Sequence, residues 1–180
     1  MAMDDRTSRR RFLCGAAAMG LLLLAPRRLR AALPPARSLA FSNLHTGESL
    51  RVVYREGADY VPEALANLDH LLRDHRTGEV HPMEPALFDL LADLREATGG
   101  GTFEVISGFR SSATNRMLRS HSGGVAEKSL HLVGRAIDVR LQGVETAQLR
   151  RAALALRRGG VGYYPALDFV HVDTGRVRFW

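Results

Sequence analysis

Apolar residues recur along this chain with two different periods. Leu65, Leu68 and Leu72 share one helical face, and Leu87, Leu90, Leu91 and Leu94 repeat the i, i+3, i+4, i+7 spacing of a second helix. Pro62 suits the opening turn of the first, and the run TGGG at 98–101 ends the second. A third helix is expected over about 145–157, with Leu149, Ala152, Ala153 and Leu156 on one side and Gly159 and Gly160 as its stop. Elsewhere the period is two. SLAFSNLHTGESLRVVYREG reads as two strands around the turn HTG, TFEVIS (102–107) and AIDVRL (136–141) as single strands, and VGYY and FVHVD as a last pair around Pro165. GFRSSATN forms a turn into a short helix near 114–120, and SGGVAEKS a loop. Helices come early, strands dominate late, the connections look like hairpins and no internal repeat appears. The prediction is an α+β fold, an antiparallel sheet with flanking helices.

Charge changes the picture at the front. The net charge is +6, yet residues 1–32 hold seven arginines against Asp4 and Asp5, so the remainder is nearly neutral. Such a body lacks the basic footprint that binding to nucleic acid requires. SRRRFL at 8–13 is followed by an apolar run, Cys14 to Ala25. That run is too short for a bilayer span of about 20 residues. A basic stretch before a short apolar one reads as an export signal, and paired arginines followed by Phe-Leu resemble the twin-arginine leader. Residues 1–32 are therefore expected to be a signal peptide, LPPARS (33–38) a linker, and 39–180 the working domain, with no stable membrane insertion after cleavage. Cys14 is the only cysteine and stands at the start of the apolar run, where a lipid-anchor cysteine would stand at its end. The domain thus has neither disulfide nor thiol chemistry, and its reactive groups are His, Asp, Glu, Ser or a metal.

The candidate chemistry sits in KSLHLVGRAIDV and FVHVD. Side chains alternate across a strand. Ile137, Val139 and Leu141 form the core face of one strand, which turns Asp138 to the other. Val170 and Val172 do the same in the last strand and turn His171, with Phe169 and Asp173, away from the core. If the two strands are neighbours, Asp138 and His171 converge, and His131 can fold back to the same point because Gly134 lets the loop bend tightly. Two imidazoles and one carboxylate are a common catalytic zinc set that leaves a fourth position for water. On spacing alone the competing reading stands: a histidine in a turn that happens to precede a strand.

A resemblance adds to this. SLHLVGRAID reads S-x-H-x-x-G-x-A-x-D and resembles the zinc signature of the peptidase M15 group, D-Ala-D-Ala-type metallopeptidases that share a fold with Hedgehog signalling domains. SGFRS with Asn115, NLHTGE, GGVGYYP and FVHVDTG are similar to segments of that group and its YcbK-like branch, and the similarity runs from about residue 39 to Trp180. It implies one Zn2+ per chain held by His131, Asp138 and His171. It implies hydrolysis of peptide cross-links in peptidoglycan, especially those between two meso-diaminopimelate residues, with peptidoglycan stem peptides as partners. It implies a periplasmic place of action, reached through the twin-arginine export machinery. Two carboxylates compete for the role of general base. Asp168 lies three positions before the last zinc histidine, as an acidic residue does in carboxypeptidase and dipeptidase relatives. Asp173 lies two after it and could instead orient a ligand histidine. Arg110 is the expected clamp for a substrate carboxylate or a developing oxyanion. Ser129 is expected to bond the loop or the substrate site rather than act as a nucleophile, and Ser107 likewise is no nucleophile. His45, His75, His81 and His121 read as solvated. Two alternatives stay open: a D,D-carboxypeptidase or dipeptidase of the same fold, which needs a closed pocket where an endopeptidase needs an open groove, and a non-catalytic peptidoglycan-binding module.

Overall fold

Residues 34–121 and 126–180 are described by the structure, a computed structural model. The expected leader, residues 1–32, lies outside the described residues. The chain opens with a hairpin, β1 (Arg37–Asn43) and β2 (Ser49–Glu56), followed by the short β3 (Asp59–Tyr60). β1 takes in the last two residues of the stretch expected to be linker. Two helices follow, α1 (Pro62–Leu71) and α2 (Pro85–Thr98), each with proline in its first turn, where a missing N–H costs nothing. Gly99 closes α2 at φ 67°, its N–H bonded to Arg95 O at 2.9 Å. The rest alternates: β4 (Phe103–Ser107), α3 (Ser112–His121), a 3-10 turn (Leu130–Val133), β5 (Ala136–Leu141), α4 (Thr146–Leu156), β6 (Gly160–Tyr164), a second 3-10 turn (Pro165–Leu167), β7 (Phe169–Asp173) and β8 (Arg178–Phe179).

One eight-stranded sheet runs β3-β2-β1-β4-β5-β7-β6-β8. It is mixed, which corrects the expectation of an antiparallel sheet. β1 pairs with β4 in parallel, Phe41 beside Phe103, and β6 pairs with β8 in parallel, while the other five pairings are antiparallel. The parallel step has a plain cause. β3 runs the same way as β1, the chain crosses over from β3 to β4 through α1 and α2, and a crossover that packs helices on the sheet brings its strand back in the original direction. α2 packs on β1 and α4, α1 packs on β2, and α4 packs on β5, β6 and β7.

The core joins Leu68, Leu72, Leu87, Leu91 and Leu94 of the helical side to Leu39, Phe41, Phe103, Ile137, Val139, Val170 and Val172 of the sheet, all essentially without exposure. Burying each such side chain contributes roughly 1.5–3 kcal/mol. The core matters to function through register. Ile137 and Val172 are cross-strand partners within it, and so are Val139 and Val170. The intervening pair, Asp138 and His171, must then stand opposite each other on the other face. No helix among the described residues is long and apolar enough to cross a membrane.

Candidate metal centre

Asp138 and His171 reach one point because their strands are in register. His171 Nδ1 lies 2.8 Å from Asp138 Oδ1. His131 arrives from the 3-10 turn just before β5. Ser129 caps that turn, its Oγ accepting from His131 N–H, and Gly134 ends it at φ 64°. A side chain at Gly134 would run into the backbone of Pro82 and Met83, so the tight bend needs glycine twice over. His131 Nε2 then lies 3.3 Å from Asp138 Oδ1 and 3.2 Å from His171 Nδ1. The three residues are buried, and their donor atoms all lie within 4.8 Å of one another.

The remaining nitrogen of each imidazole is engaged. His131 Nδ1 donates to Gly108 O at 2.7 Å, since a carbonyl can only accept. His171 Nε2 donates to Asp173 Oδ2 at 2.9 Å. With a proton on each of those far nitrogens, a neutral ring turns its lone pair toward Asp138. Three acceptors around one point repel one another unless a cation or a proton stands between them. Four-coordinate zinc, with ligands at about 2.0–2.1 Å, separates its ligand atoms by about 3.3 Å. The residues fit such an ion in donor type, spacing and outer hydrogen bonds.

Electrostatics follow from that crowding. Protons on the two rings take the cation's part: burial pushes the Asp138 carboxyl up, but the charge and hydrogen bonds of protonated His131 and His171 outweigh it and hold it well below the usual carboxylate range. Burial holds the His131 imidazole below its ordinary value. Burial also depresses His171, but hydrogen bonds to the Asp138 and Asp173 carboxylates outweigh that and raise it.

The triad opens into a groove of about 550 Å³. Arg110, Lys128, Ser129 and Arg178 supply much of its polar lining beside the triad, and Leu167, Phe169 and Trp180 much of its apolar lining. Arg110 Nη2 is 3.5 Å from Asp138 Oδ2. Its other contacts, to Ser107 Oγ and Asn115 Oδ1, are long at 3.4 and 3.5 Å, and its buried Nε has no partner among the described residues. The guanidinium is thus held in place but not saturated.

The family described as Peptidoglycan L,D-endopeptidase MepK, a peptidase M15 family, matches residues 31–180. The chain belongs to this family. Peptidoglycan L,D-endopeptidase MepK of Escherichia coli (strain K12) is 42% identical to it over 178 residues, covering 98% of each chain. Probable peptidoglycan L,D-endopeptidase MepK of Haemophilus influenzae is 42% identical over 180 residues, covering 98% of this chain and 96% of the relative. A solved structure, Serratia marcescens L-Ala D-Glu endopeptidase ChiX, is 25% identical, covers 42% of this chain and 62% of its own, and has a TM-score of 0.35.

The two carboxylates expected to compete as base occupy different surroundings. Asp173 is fully buried. Its Oδ2 takes His171 Nε2 and Arg178 Nη2, and its Oδ1 takes the N–H groups of Gly160 and Gly175 and Arg178 Nη1. Every lone pair is used, on the side of the His171 ring away from Asp138. Asp168 is exposed at φ 52° behind the second 3-10 turn, bonded to Thr146 Oγ1 at 2.9 Å and 3.3 Å from Arg140 Nε. The structure does not bring it to the triad. His45 and His75 stack on each other at 3.9 Å, His81 stacks on Phe109 at 4.7 Å, and none of them lines the groove. Two supports escaped the sequence reading. Asp74 is buried and accepts Ser111 N–H at 2.9 Å, which ties the segment carrying Arg110 to the end of α1. Glu84 bonds Thr174 Oγ1 and Arg135 Nε, next to Asp173. Both carboxylates come from chain far from the motif, and no local period announces them.

Proposed function

We propose that the chain is a zinc-dependent peptidoglycan endopeptidase that hydrolyses peptide cross-links, those joining two meso-diaminopimelate residues above all. One observation carries the reading: His131 Nε2, Asp138 Oδ1 and His171 Nδ1 converge while the far nitrogen of each ring is already engaged. Membership of a family described as peptidoglycan L,D-endopeptidase supports the substrate. Zinc in that position supplies Lewis acidity to the scissile carbonyl and to a water molecule.

The chain's own residues do the rest. His131, Asp138 and His171 are the ligands, one ion per chain. Asp173 holds the proton of His171 Nε2 and so keeps Nδ1 aimed at the ion; it is a positioning residue rather than a base, because its oxygens are spent. Arg110 holds a substrate carboxylate or the developing oxyanion, since it lines the groove and its terminal nitrogens make only long contacts. Ser129 shapes the rim beside His131. Asp168 is left to anchor the entry to β7 through Arg140 and Thr146. The fold is read as that of D-Ala-D-Ala metallopeptidases and Hedgehog domains. Residues 1–32 serve as the twin-arginine leader, 33–38 as a linker and 39–180 as the enzyme, acting on stem peptides in the periplasm.

The test is digestion of purified sacculi and of defined 3-3 and 4-3 cross-linked muropeptide dimers, with and without EDTA, followed by chromatography. The expected result is conversion of 3-3 dimers to monomers, abolished by EDTA and restored by zinc. Activity indifferent to EDTA overturns the metal mechanism. Release of a terminal residue alone means a carboxypeptidase, and saturable binding without cleavage means a binding module.

A further inference from the structure

We infer that Trp180 is the substrate-positioning wall of the groove, a fixed indole ledge that carries the aliphatic methylene chain of the diamino acid at the scissile bond. This rests on the peptidase reading above and goes beyond it in naming a specificity residue outside the triad and its supports.

Trp180 is the sole tryptophan of the chain. Three neighbours pin it. Its Nε1–H donates to Tyr164 Oη at 2.8 Å. The Arg178 guanidinium lies 5.0 Å from its ring centroid. Its ring lies over Gly162 so closely that a Cβ there would come within 2.7–2.8 Å of Cε2, Cζ2 and Nε1. The backbone adds to this, with Trp180 N–H bonded to Val161 O at 3.2 Å and Tyr163 N–H to Trp180 O at 3.1 Å. Gly162 is the cross-strand partner of His171. A side chain at that strand position would fill the space beside the ligand histidine; glycine leaves it to the indole instead.

A ring so firmly placed is nonetheless 48% exposed, and it lines the groove that holds the triad. Its centroid is 5.2 Å from that of His171, and the ledge continues into Tyr164, which stacks on Phe169 at 4.5 Å. A large aromatic face kept in water beside reactive groups is an apolar surface held ready for a ligand. Its one polar atom is already bonded to Tyr164, so the exposed part of the ring offers an apolar π face and no hydrogen bond. The Arg178 guanidinium beside the ring disfavours an added ammonium, so the ledge takes methylenes and amide planes and leaves the carboxylate end of the side chain to the cationic lining of Arg110, Lys128 and Arg178.

The experiment compares wild type with Trp180→Ala, Trp180→Phe and Gly162→Ala on the 3-3 dimer, with zinc content and melting temperature measured for each. Trp180→Ala is expected to raise KM about tenfold while kcat stays within about threefold, with wild-type zinc content. Trp180→Phe restores most of the KM, and Gly162→Ala, whose Cβ meets the Trp180 ring first, raises KM by an intermediate factor. Emission from the single tryptophan of wild type changes saturably on titration with the same dimer. An unchanged KM in Trp180→Ala, or a joint loss of zinc and kcat at constant KM, overturns the inference and makes the ring a shield for His171. If wild type fails to cleave the dimer, the peptidase reading falls. The emission titration then decides the ledge alone: a saturable change upholds it as a binding wall, and a flat one overturns it.

Discussion

Two buried carboxylates make an instructive pair. Asp89, on α2, is surrounded by donors: Tyr54 Oη at 2.9 Å, Tyr60 Oη at 2.7 Å, Arg37 Nη1 at 3.0 Å and Arg55 Nη1 at 3.2 Å. It ties α2 to the first three strands, and both oxygens of the carboxylate are met by donors. Asp138, on β5, meets two imidazole nitrogens whose rings, when neutral, carry their protons on the far side, toward Gly108 O and Asp173. Both carboxylates are buried, hydrogen-bonded and held below their ordinary pKa. What separates them is the sign of what faces them. A carboxylate among donors is a finished structural network, whereas a carboxylate among acceptors is half of a cation site. Burial of polar groups alone does not distinguish the two.

Substitutions should separate the regions cleanly. Asp138→Asn is expected to lower turnover of cross-linked dimers by about a thousandfold or more, while circular dichroism and melting show the fold retained. Asp89→Ala should do the converse. Removing one partner of a buried charge network costs about 3–5 kcal/mol, to be read from urea unfolding, with activity per folded molecule unchanged. A fall in activity without a fall in stability there would break the contrast. Asp173→Asn should sit between them, weakening metal affinity or activity about 10–100-fold, as competition against a chromophoric chelator would report. Asp168→Asn, by comparison, should alter stability by no more than about 0.5 kcal/mol and leave turnover alone.

The smallest effect is on pH dependence. Burial raises the Asp89 carboxyl, but hydrogen bonds from Tyr60 and Tyr54 and the Arg55 charge outweigh it and lower the pKa in the folded state. A depressed folded pKa gives stability that is present above the unfolded value of about 3.9 and lost as pH falls through the folded one. Melting temperature should therefore hold steady above about pH 5 and fall below about pH 4. Asp89→Asn should make that fall shallower, and an identical slope in the variant would show that other carboxylates set it.

Much of this was legible in the sequence, and the reasons are specific. Alternation around Ile137, Val139, Val170 and Val172 is local, so it fixed which way Asp138 and His171 face, and the strand bounds at 136–141 and 169–173 agree with it. The spacing from His131 through Gly134 to Asp138 is local too. Strand direction is not. Nothing in Phe103 or Glu104 says that β4 runs parallel to β1, because the crossover through α1 and α2 decides it. β3 and β8, two residues each, carry too little pattern to be seen. Asp168 and Asp173 look equivalent around His171 in sequence. Only the left-handed turn at Asp168 and the ring of donors around Asp173 set them apart.

Metal analysis of the purified protein tests the central claim most directly. Wild type should carry close to one zinc per chain, Asp89→Ala should keep it, and His131→Ala should lose it. A wild type that takes up no zinc, or a His131→Ala variant that binds it as tightly as wild type, would contradict the assignment of His131, Asp138 and His171 as a metal centre.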